Sequence, residues 1–157
     1  MSDPNTLANF LKYGEENFNP DHRILVFRNH GGLNGICYDD AFQQGAKYNL
    51  TYENLTQVLS AVYPNSLEEP PFELIGFNTC VSAFYELANS VADFSHYMIG
   101  SEPSEYGRYF KDWLAALAKD PSINGAQIGK IICNSNNFSD TICKKNPPIN
   151  GGFFFIG

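Results

Sequence analysis

The chain has 157 residues, the size of one ordinary domain, and 43% hydrophobic against 17% charged residues, a composition typical of a folded globular protein. Its net charge is −7 and no run of basic residues with interleaved aromatics occurs, so we expect no nucleic-acid partner. No apolar stretch approaches the roughly 20 residues that span a bilayer, and the polar start has no apolar signal segment. We therefore expect no membrane partner, and the localisation stays open.

Apolar periodicity and capping residues indicate the elements of the fold. Asp3 followed by Pro4 is a favoured helix start, with a capping acid before proline at the first helical position. Continuous apolar runs are typical of strands that are buried on both faces. In chain order the sequence predicts a helix from Pro4 to about 17, a strand over 24–27, a glycine-rich loop over 31–45, a helix from Thr51, a strand over 72–77, a helix over 82–93, a strand over 96–100, a helix over 105–119, a strand over 130–133 and a last apolar run over 153–156.

This alternation of helices and strands predicts an α/β fold with a mostly parallel sheet. The carboxyl ends of neighbouring parallel strands open onto one shared crevice. His30 follows the first predicted strand and Cys80 follows the second, so the two side chains can meet although they lie far apart in the sequence. A base beside a thiol is the minimum equipment of a cysteine nucleophile.

Each residue of this pair has a defined chemical role in that hypothesis. We expect Cys80 where the third helix begins, so that the helix dipole favours its thiolate. His30 takes the thiol proton and later donates one to a leaving amine. The backbone N–H groups of Gly31 and Cys80 form an oxyanion hole, and the missing side chain of Gly31 leaves room for a carbonyl.

A plainer interpretation exists for each residue alone. A cysteine at the end of an apolar strand is most often a small buried hydrophobe, and a histidine in a loop is most often a surface residue. Their placement at corresponding strand ends, together with the His-Gly step, favours catalysis.

Several segments in a fixed order resemble a known family. A strand enters a His-Gly-Gly loop over Val26–Gly32, and another ends in Ile-Gly-Phe-Asn-Thr-Cys over Ile75–Cys80. A Glu-x-Ala step follows at Glu86–Ala88, then a strand leading to Ser-Glu over Met98–Glu102 and a Gly-aromatic segment at Gly107–Tyr109. Over about residues 7–117 the chain resembles the clostripain family of cysteine endopeptidases, in the clan that also holds caspases, gingipains and legumain.

The resemblance implies a caspase-like three-layer sandwich in which His30 and Cys80 hydrolyse peptide bonds through an acyl-enzyme. It implies that Asn78, Ser101 and Glu102 line the pocket for the substrate side chain. Protein or peptide substrates are implied and no cofactor is required, although some relatives bind calcium. Family members are often secreted.

Two features depart from the family pattern. Asn78 stands where the family usually carries Asp, which removes a charged partner for Arg or Lys, so the preference for these side chains stays open, with Glu102 or Glu105 able to compensate. The sheet of the family normally has strands before Ile24, so we predict that residues 1–157 form a single, partial catalytic domain with N-terminal strands missing.

Two other functions remain to be weighed against a peptidase. Asn78 in place of Asp and the missing N-terminal strands favour a catalytically inactive or truncated relative that acts as a binding or scaffold domain. The presence of both His30 and Cys80 argues against this function. A doubly wound small-molecule binder is the third hypothesis. No Gly-x-Gly-x-x-Gly phosphate loop follows any predicted strand, which argues against that class.

Overall fold

The computed structural model describes residues 2–39, 49–101, 110–135, 144–145 and 152–156. These ranges contain both helices and strands, so the predicted α/β class is confirmed. The elements are α1 (Pro4–Asn17), β1 (Ile24–Arg28), β2 (Gly31–Gly32), β3 (Gly35–Ile36), α2 (Tyr52–Val62), β4 (Phe72–Asn78), α3 (Tyr85–Val91), β5 (Ser95–Ser101), α4 (Phe110–Lys119), α5 (Gly125–Asn134), β6 (Lys144–Lys145) and β7 (Gly152–Ile156).

The main sheet of the described residues is mostly parallel. Its strand order is β1-β4-β5-β7-β6, in which β1, β4, β5 and β7 run parallel and β6 runs antiparallel to β7. The last apolar run of the sequence is therefore a strand of this sheet. Strands β2 and β3 form a separate antiparallel hairpin directly after β1.

Helices cover both faces of this sheet, so the predicted three-layer sandwich is confirmed. Side chains of α1, α2 and α3 pack with Leu25, Ile75 and Met98 in a core on one face. Side chains of α4 and α5 pack with Leu74 and Ile99 in a second core on the other face. Within the described ranges, no helix combines the length and the apolarity that crossing a membrane requires.

Local signals set the first turns of the first two helices. The Asp3 side chain accepts a hydrogen bond from the backbone N–H of Asn5, with proline at the first helical positions of α1. The Thr51 hydroxyl accepts one from the N–H of Asn54 at the start of α2. Each cap satisfies a backbone donor that the helix leaves unpaired, and this is why the sequence predicts both starts correctly.

The predicted strand over 130–133 is wrong, because these residues belong to α5. Asn124 and Gln127 form a reciprocal capping box that starts the helix, with the amide oxygen of each accepting from the backbone N–H of the other. Ile128 and Ile132 are then buried one helical turn apart. On α4, Trp113 is buried, whereas Leu114 is 49% exposed.

Candidate active site

The parallel pairing of β1 with β4 brings the two predicted catalytic segments side by side. Arg28 and Asn78, the last residues of these strands, are partners in the register. His30 and Cys80 each lie two residues beyond this pair. The histidine and the cysteine therefore lie level with each other at the carboxyl edge of the sheet.

Gly31 packs tightly against the segment that contains Cys80. A Cβ atom added there would lie 2.5 Å from the carbonyl oxygen of Cys80 and 2.8 Å from both Cβ and Oγ1 of Thr79. No ordinary side chain fits at such distances, so only glycine lets the backbones of the two loops touch. Gly31, the residue after His30, is thus packed directly against Cys80, the candidate nucleophile.

Hydrogen bonds hold the His30 loop from both sides. The His30 carbonyl accepts from the Cys37 N–H at 2.9 Å, and the His30 N–H donates to Asn29 Oδ1 at 2.6 Å. The hydroxyl of Tyr52 donates to the Gly32 carbonyl. Burial raises the pKa of Tyr52, so this hydroxyl keeps its proton as a donor. The imidazole itself is exposed at the end of this fixed loop.

The turn after Cys80 is pinned to the end of β5 by Ser82. The Ser82 hydroxyl donates to the Thr79 carbonyl and accepts from the Ser101 N–H, both at 3.0 Å. The N–H groups of Ser82 and Ala83 donate to the Ser101 carbonyl at 2.7 and 3.0 Å. These bonds fix the backbone on either side of Cys80, whose side chain is half-buried.

The helix predicted over 82–93 is α3 and begins only at Tyr85, so the expectation that Cys80 lies at its start is wrong. The N–H groups of Ser82 and Ala83 are bonded to β5 and are not the free amides of a first helical turn. The helix dipole therefore does not act directly on the Cys80 thiol, since its effect falls off within the first turn.

Backbone strain in the described residues is concentrated in these two turns. Among these residues, the non-glycine positions with positive φ are Cys37, at 58°, and Val81, at 47°. Cys37 is bonded to the His30 carbonyl, and Val81 directly follows Cys80. A β-branched residue in this region is a true outlier, and each such residue costs about 1–3 kcal/mol. Strain of this kind is typical of functional sites.

Two buried polar atoms beside Cys80 have no hydrogen-bond partner among the residues that the structure describes. They are Asn78 Nδ2 and Thr79 Oγ1, the polar side-chain atoms of the two residues that precede the cysteine. Asn78 is 7% exposed and Thr79 is 1% exposed. Buried polar groups are nearly always bonded, so these two atoms are exceptions that a bound water, ion or ligand would satisfy.

The remaining predicted site residues divide into two groups. Ser101 is buried at the end of β5 and is bonded through its backbone to the Cys80 turn. Glu102 lies outside the described residues, as do Glu105 and the Gly107–Tyr109 segment. Below the site, the rings of Phe27 and Phe77 stack with centroids 5.3 Å apart and support the ends of β1 and β4.

The resemblance to the clostripain family also allows for a bound calcium ion. Among the residues that the structure describes, no group of three or more His, Cys, Asp or Glu side chains is placed to hold a metal ion.

Three further residues shape the site and were not predicted from the sequence. Tyr52 and Ser82 hold the two loops, and Val81 carries the strain next to Cys80. A hydroxyl residue two positions after the cysteine is the kind of side chain that bonds its own turn, and it was the available signal for Ser82. The role of Tyr52 depends on a helix packed from elsewhere and has no local signal.

Comparison with known proteins agrees with this geometry. The model of the clostripain family matches residues 1–144, which include both strand ends and the turns that follow them. Neither the curated proteins nor the solved structures contain a match to the chain. Because the family match covers most of the sequence, the chain belongs to the clostripain family, a family of cysteine peptidases.

Proposed function

We propose that this protein is a cysteine endopeptidase in which Cys80 is the nucleophile and His30 is the acid–base. The contact between Gly31 and the Cys80 carbonyl carries this proposal, because it joins the two loops at the carboxyl edge of the sheet. Since α3 begins only at Tyr85, activation of the thiol depends on His30 and not on a helix dipole.

Acylation begins when His30 accepts the thiol proton of Cys80. The sulfur then forms a bond to the scissile carbonyl carbon, and the oxyanion that results accepts hydrogen bonds from the N–H groups of Gly31 and Cys80. The carbon–nitrogen bond breaks as His30 donates its proton to the leaving amine. The product of this stage is a thioester on Cys80 and a free amino terminus.

Deacylation reverses the roles of the same groups. His30 accepts a proton from water, and the water oxygen bonds to the thioester carbon. The carbon–sulfur bond then breaks, and the proton on His30 returns to the Cys80 sulfur. Both stages use only side chains, backbone amides and water, with Asn78, Ser101 and Glu102 proposed to line the pocket for the substrate side chain.

Cleavage of a mixed peptide library, read by mass spectrometry, tests the proposal. Cys80→Ala and His30→Ala are expected to lose activity by a factor of about 10² or more, since each removes one member of the dyad. His22→Ala is the matched control, because His22 is an exposed histidine before β1, at the opposite edge of the sheet. Equal loss in His22→Ala and His30→Ala would contradict the proposal.

Thiol reactivity separates an active enzyme from an inactive binding or scaffold relative. We expect Cys80 to be alkylated at pH 6 much faster than free cysteine, because His30 takes the proton of its thiol. His30→Ala is expected to slow this alkylation to the rate of an ordinary thiol. A wild-type rate equal to that of free cysteine, with no cleavage of any peptide, would favour the scaffold function.

A further inference from the structure

We propose that the end of α1 and the amino edge of the sheet form a docking surface for a basic segment of a partner protein. In that segment, apolar side chains stand beside lysines or arginines. The surface lies at the opposite edge of the sheet from the turns that contain His30 and Cys80. The proposal therefore goes beyond the peptidase function and does not depend on it.

An apolar cavity between α1 and β1 is the first part of this surface. Its volume is about 360 Å³, within the roughly 300–1,000 Å³ that is usual for ligand pockets. Its lining includes Phe10, Gly14, Phe18, Pro20 and Ile24. Phe10 and Phe18 are 57% and 63% exposed. Exposed apolar side chains that are grouped around a cavity are typical of an interaction site.

Gly14 leaves space in this cavity for a side chain of another molecule. A Cβ atom added at Gly14 would meet nothing within 4 Å beyond its own helix. Phe10 lies four residues before Gly14 on α1, and Phe18 is the C-terminal cap four residues after it. All three residues line the cavity, so two exposed aromatic side chains stand beside this space. A Phe or Leu side chain of a partner would fill it.

An acidic groove adjoins the apolar cavity and is the second part of the surface. Its volume is about 670 Å³. Four residues line both spaces and make them continuous: Glu15, His22, Arg23 and Tyr63. The lining of the groove contributes five carboxylates, those of Glu15, Asp21, Glu68, Glu69 and Glu73.

Three carboxylates of this groove are available to bind a cation. Glu15 and Glu73 are bonded within the fold. The exposed carboxylates of Asp21, Glu68 and Glu69, in contrast, form no ion pair or hydrogen bond with another side chain among the described residues. An excess of negative charge therefore remains in the groove, and it attracts Lys or Arg side chains.

Charge also selects among the occupants that could cover the apolar cavity. The chain carries a net charge of −7, so a second copy would bring negative charge to a groove that is already acidic. A small inorganic cation or a polyamine has no apolar part and would leave the cavity beside the groove empty. A polypeptide segment that combines apolar and basic side chains matches both parts of the surface.

Fluorescence anisotropy of a labelled peptide tests this docking surface. The probe is Lys-Lys-Lys-Gly-Phe-Leu-Gly-Lys-Lys-Lys, and the protein is the full chain with Cys80→Ala, so that the probe is not cut. We expect saturable binding that weakens as salt rises, because salt screens exposed charges. Replacing Phe-Leu in the probe by Ser-Ser is expected to raise Kd by about tenfold or more, since the burial of apolar side chains is lost.

Gly14→Leu separates this site from a general attraction to an acidic protein. The new side chain would occupy the space for the apolar anchor, and leucine favours a helix more than glycine does. We therefore expect Kd for the probe to rise by about tenfold or more, with no fall in Tm. Asn9→Leu, at an exposed position of α1 outside the cavity, is the matched control and is expected to leave Kd unchanged.

Removal of charge tests the acidic groove. The double variant Glu68→Gln and Glu69→Gln is expected to raise Kd by about threefold or more at low salt. The double variant Glu53→Gln and Glu86→Gln is the matched control, because it removes the same charge from the first turns of α2 and α3, outside the groove. Equal effects of the two double variants would overturn the proposal.

The remaining outcomes decide the docking surface separately from the peptidase function. No saturable binding, equal binding of the Phe-Leu and Ser-Ser probes, or an unchanged Kd in Gly14→Leu would overturn the docking surface, and cleavage by the wild-type protein would still decide the peptidase function. If the protein self-associates in sedimentation and Gly14→Leu makes it monomeric without changing probe binding, the surface belongs to a second copy and the proposal is wrong.

Discussion

The amino and carboxyl edges of the parallel sheet differ in how completely their polar groups are hydrogen-bonded. At the amino edge a groove of about 670 Å³ is lined mostly by charged and polar side chains, and several of them are paired. Arg23 donates two hydrogen bonds of 2.9 Å to Glu15, and the Tyr63 hydroxyl donates a third of 2.9 Å to the same carboxylate. Glu73 accepts from the N–H of Gly125 at 2.8 Å.

The carboxyl edge combines bonded and unbonded polar groups. The Ser82 hydroxyl is bonded on both sides, whereas Asn78 Nδ2 and Thr79 Oγ1 are buried with no partner among the described residues, and Val81 adopts a strained backbone. Unsatisfied buried groups beside a strained turn agree with the proposed position of the active site. The groove at the amino edge, in contrast, contains paired groups that hold elements of the fold together.

Gly31→Ala should produce the largest effect at the carboxyl edge. The new methyl group would lie 2.5 Å from the Cys80 carbonyl oxygen, so the two loops must separate. We expect kcat/KM for peptide cleavage to fall by about 10²-fold or more, as a displacement near 1 Å can do. Gly32→Ala is the control, because its methyl group would meet the end of the Tyr38 side chain at 3.2 Å, which can move. Equal losses in both variants would contradict this account.

Ser82→Ala should destabilise the same edge. The change removes the acceptor of the Ser101 N–H and the donor to the Thr79 carbonyl, both in buried surroundings. We expect the free energy of unfolding in urea to fall by about 1–3 kcal/mol, with kcat reduced because Val81 can relax. Ser60→Ala, on the exposed side of α2, is expected to change stability by less than about 0.5 kcal/mol. A Ser82→Ala protein with wild-type stability and kcat would show that this hydroxyl does not hold the turn.

Glu15→Gln should affect stability at the amino edge without affecting cleavage. The side chains of Arg23 and Glu15 are 30% and 34% exposed, so water screens part of their attraction. We expect the free energy of unfolding to fall by about 1 kcal/mol, with a smaller loss at high salt. Glu16→Gln, the exposed neighbour on α1, is the matched control. A large drop in kcat/KM for Glu15→Gln would break the division between the two edges.

The fold follows from signals that are local in the sequence. The apolar runs of β1 and β4 and the caps at Asp3 and Thr51 specify their elements without distant contacts. The strand prediction over 130–133 is wrong because a short apolar run is compatible with either a strand or a buried helix. The deciding signal was the capping pair formed by Asn124 and Gln127.

Only those features of the site that follow from the pairing of parallel strands could be predicted from the sequence. Parallel pairing predicts that His30 and Cys80 meet, and the register of Arg28 with Asn78 agrees. The start of α3 could not be predicted, because the bonds of Ser82 to the end of β5 are contacts between residues far apart in the chain. The unpartnered amide of Asn78 is a property of three-dimensional packing and has no local pattern.

The two cysteines of the site loops should differ in their response to pH. Cys37 is 1% exposed, and burial raises the pKa of its thiol from the ordinary 9.0 to about 11. Between these values the unfolded chain loses the proton that the folded chain keeps, so this stabilisation is complete below about pH 9 and is lost as pH rises through about 11. Compared with Cys37→Ala, the wild-type protein should therefore lose stability more steeply over this range in urea unfolding. At pH 8 iodoacetamide should label Cys80 and spare Cys37, and the reverse pattern would contradict the assignment of Cys80 as the reactive thiol.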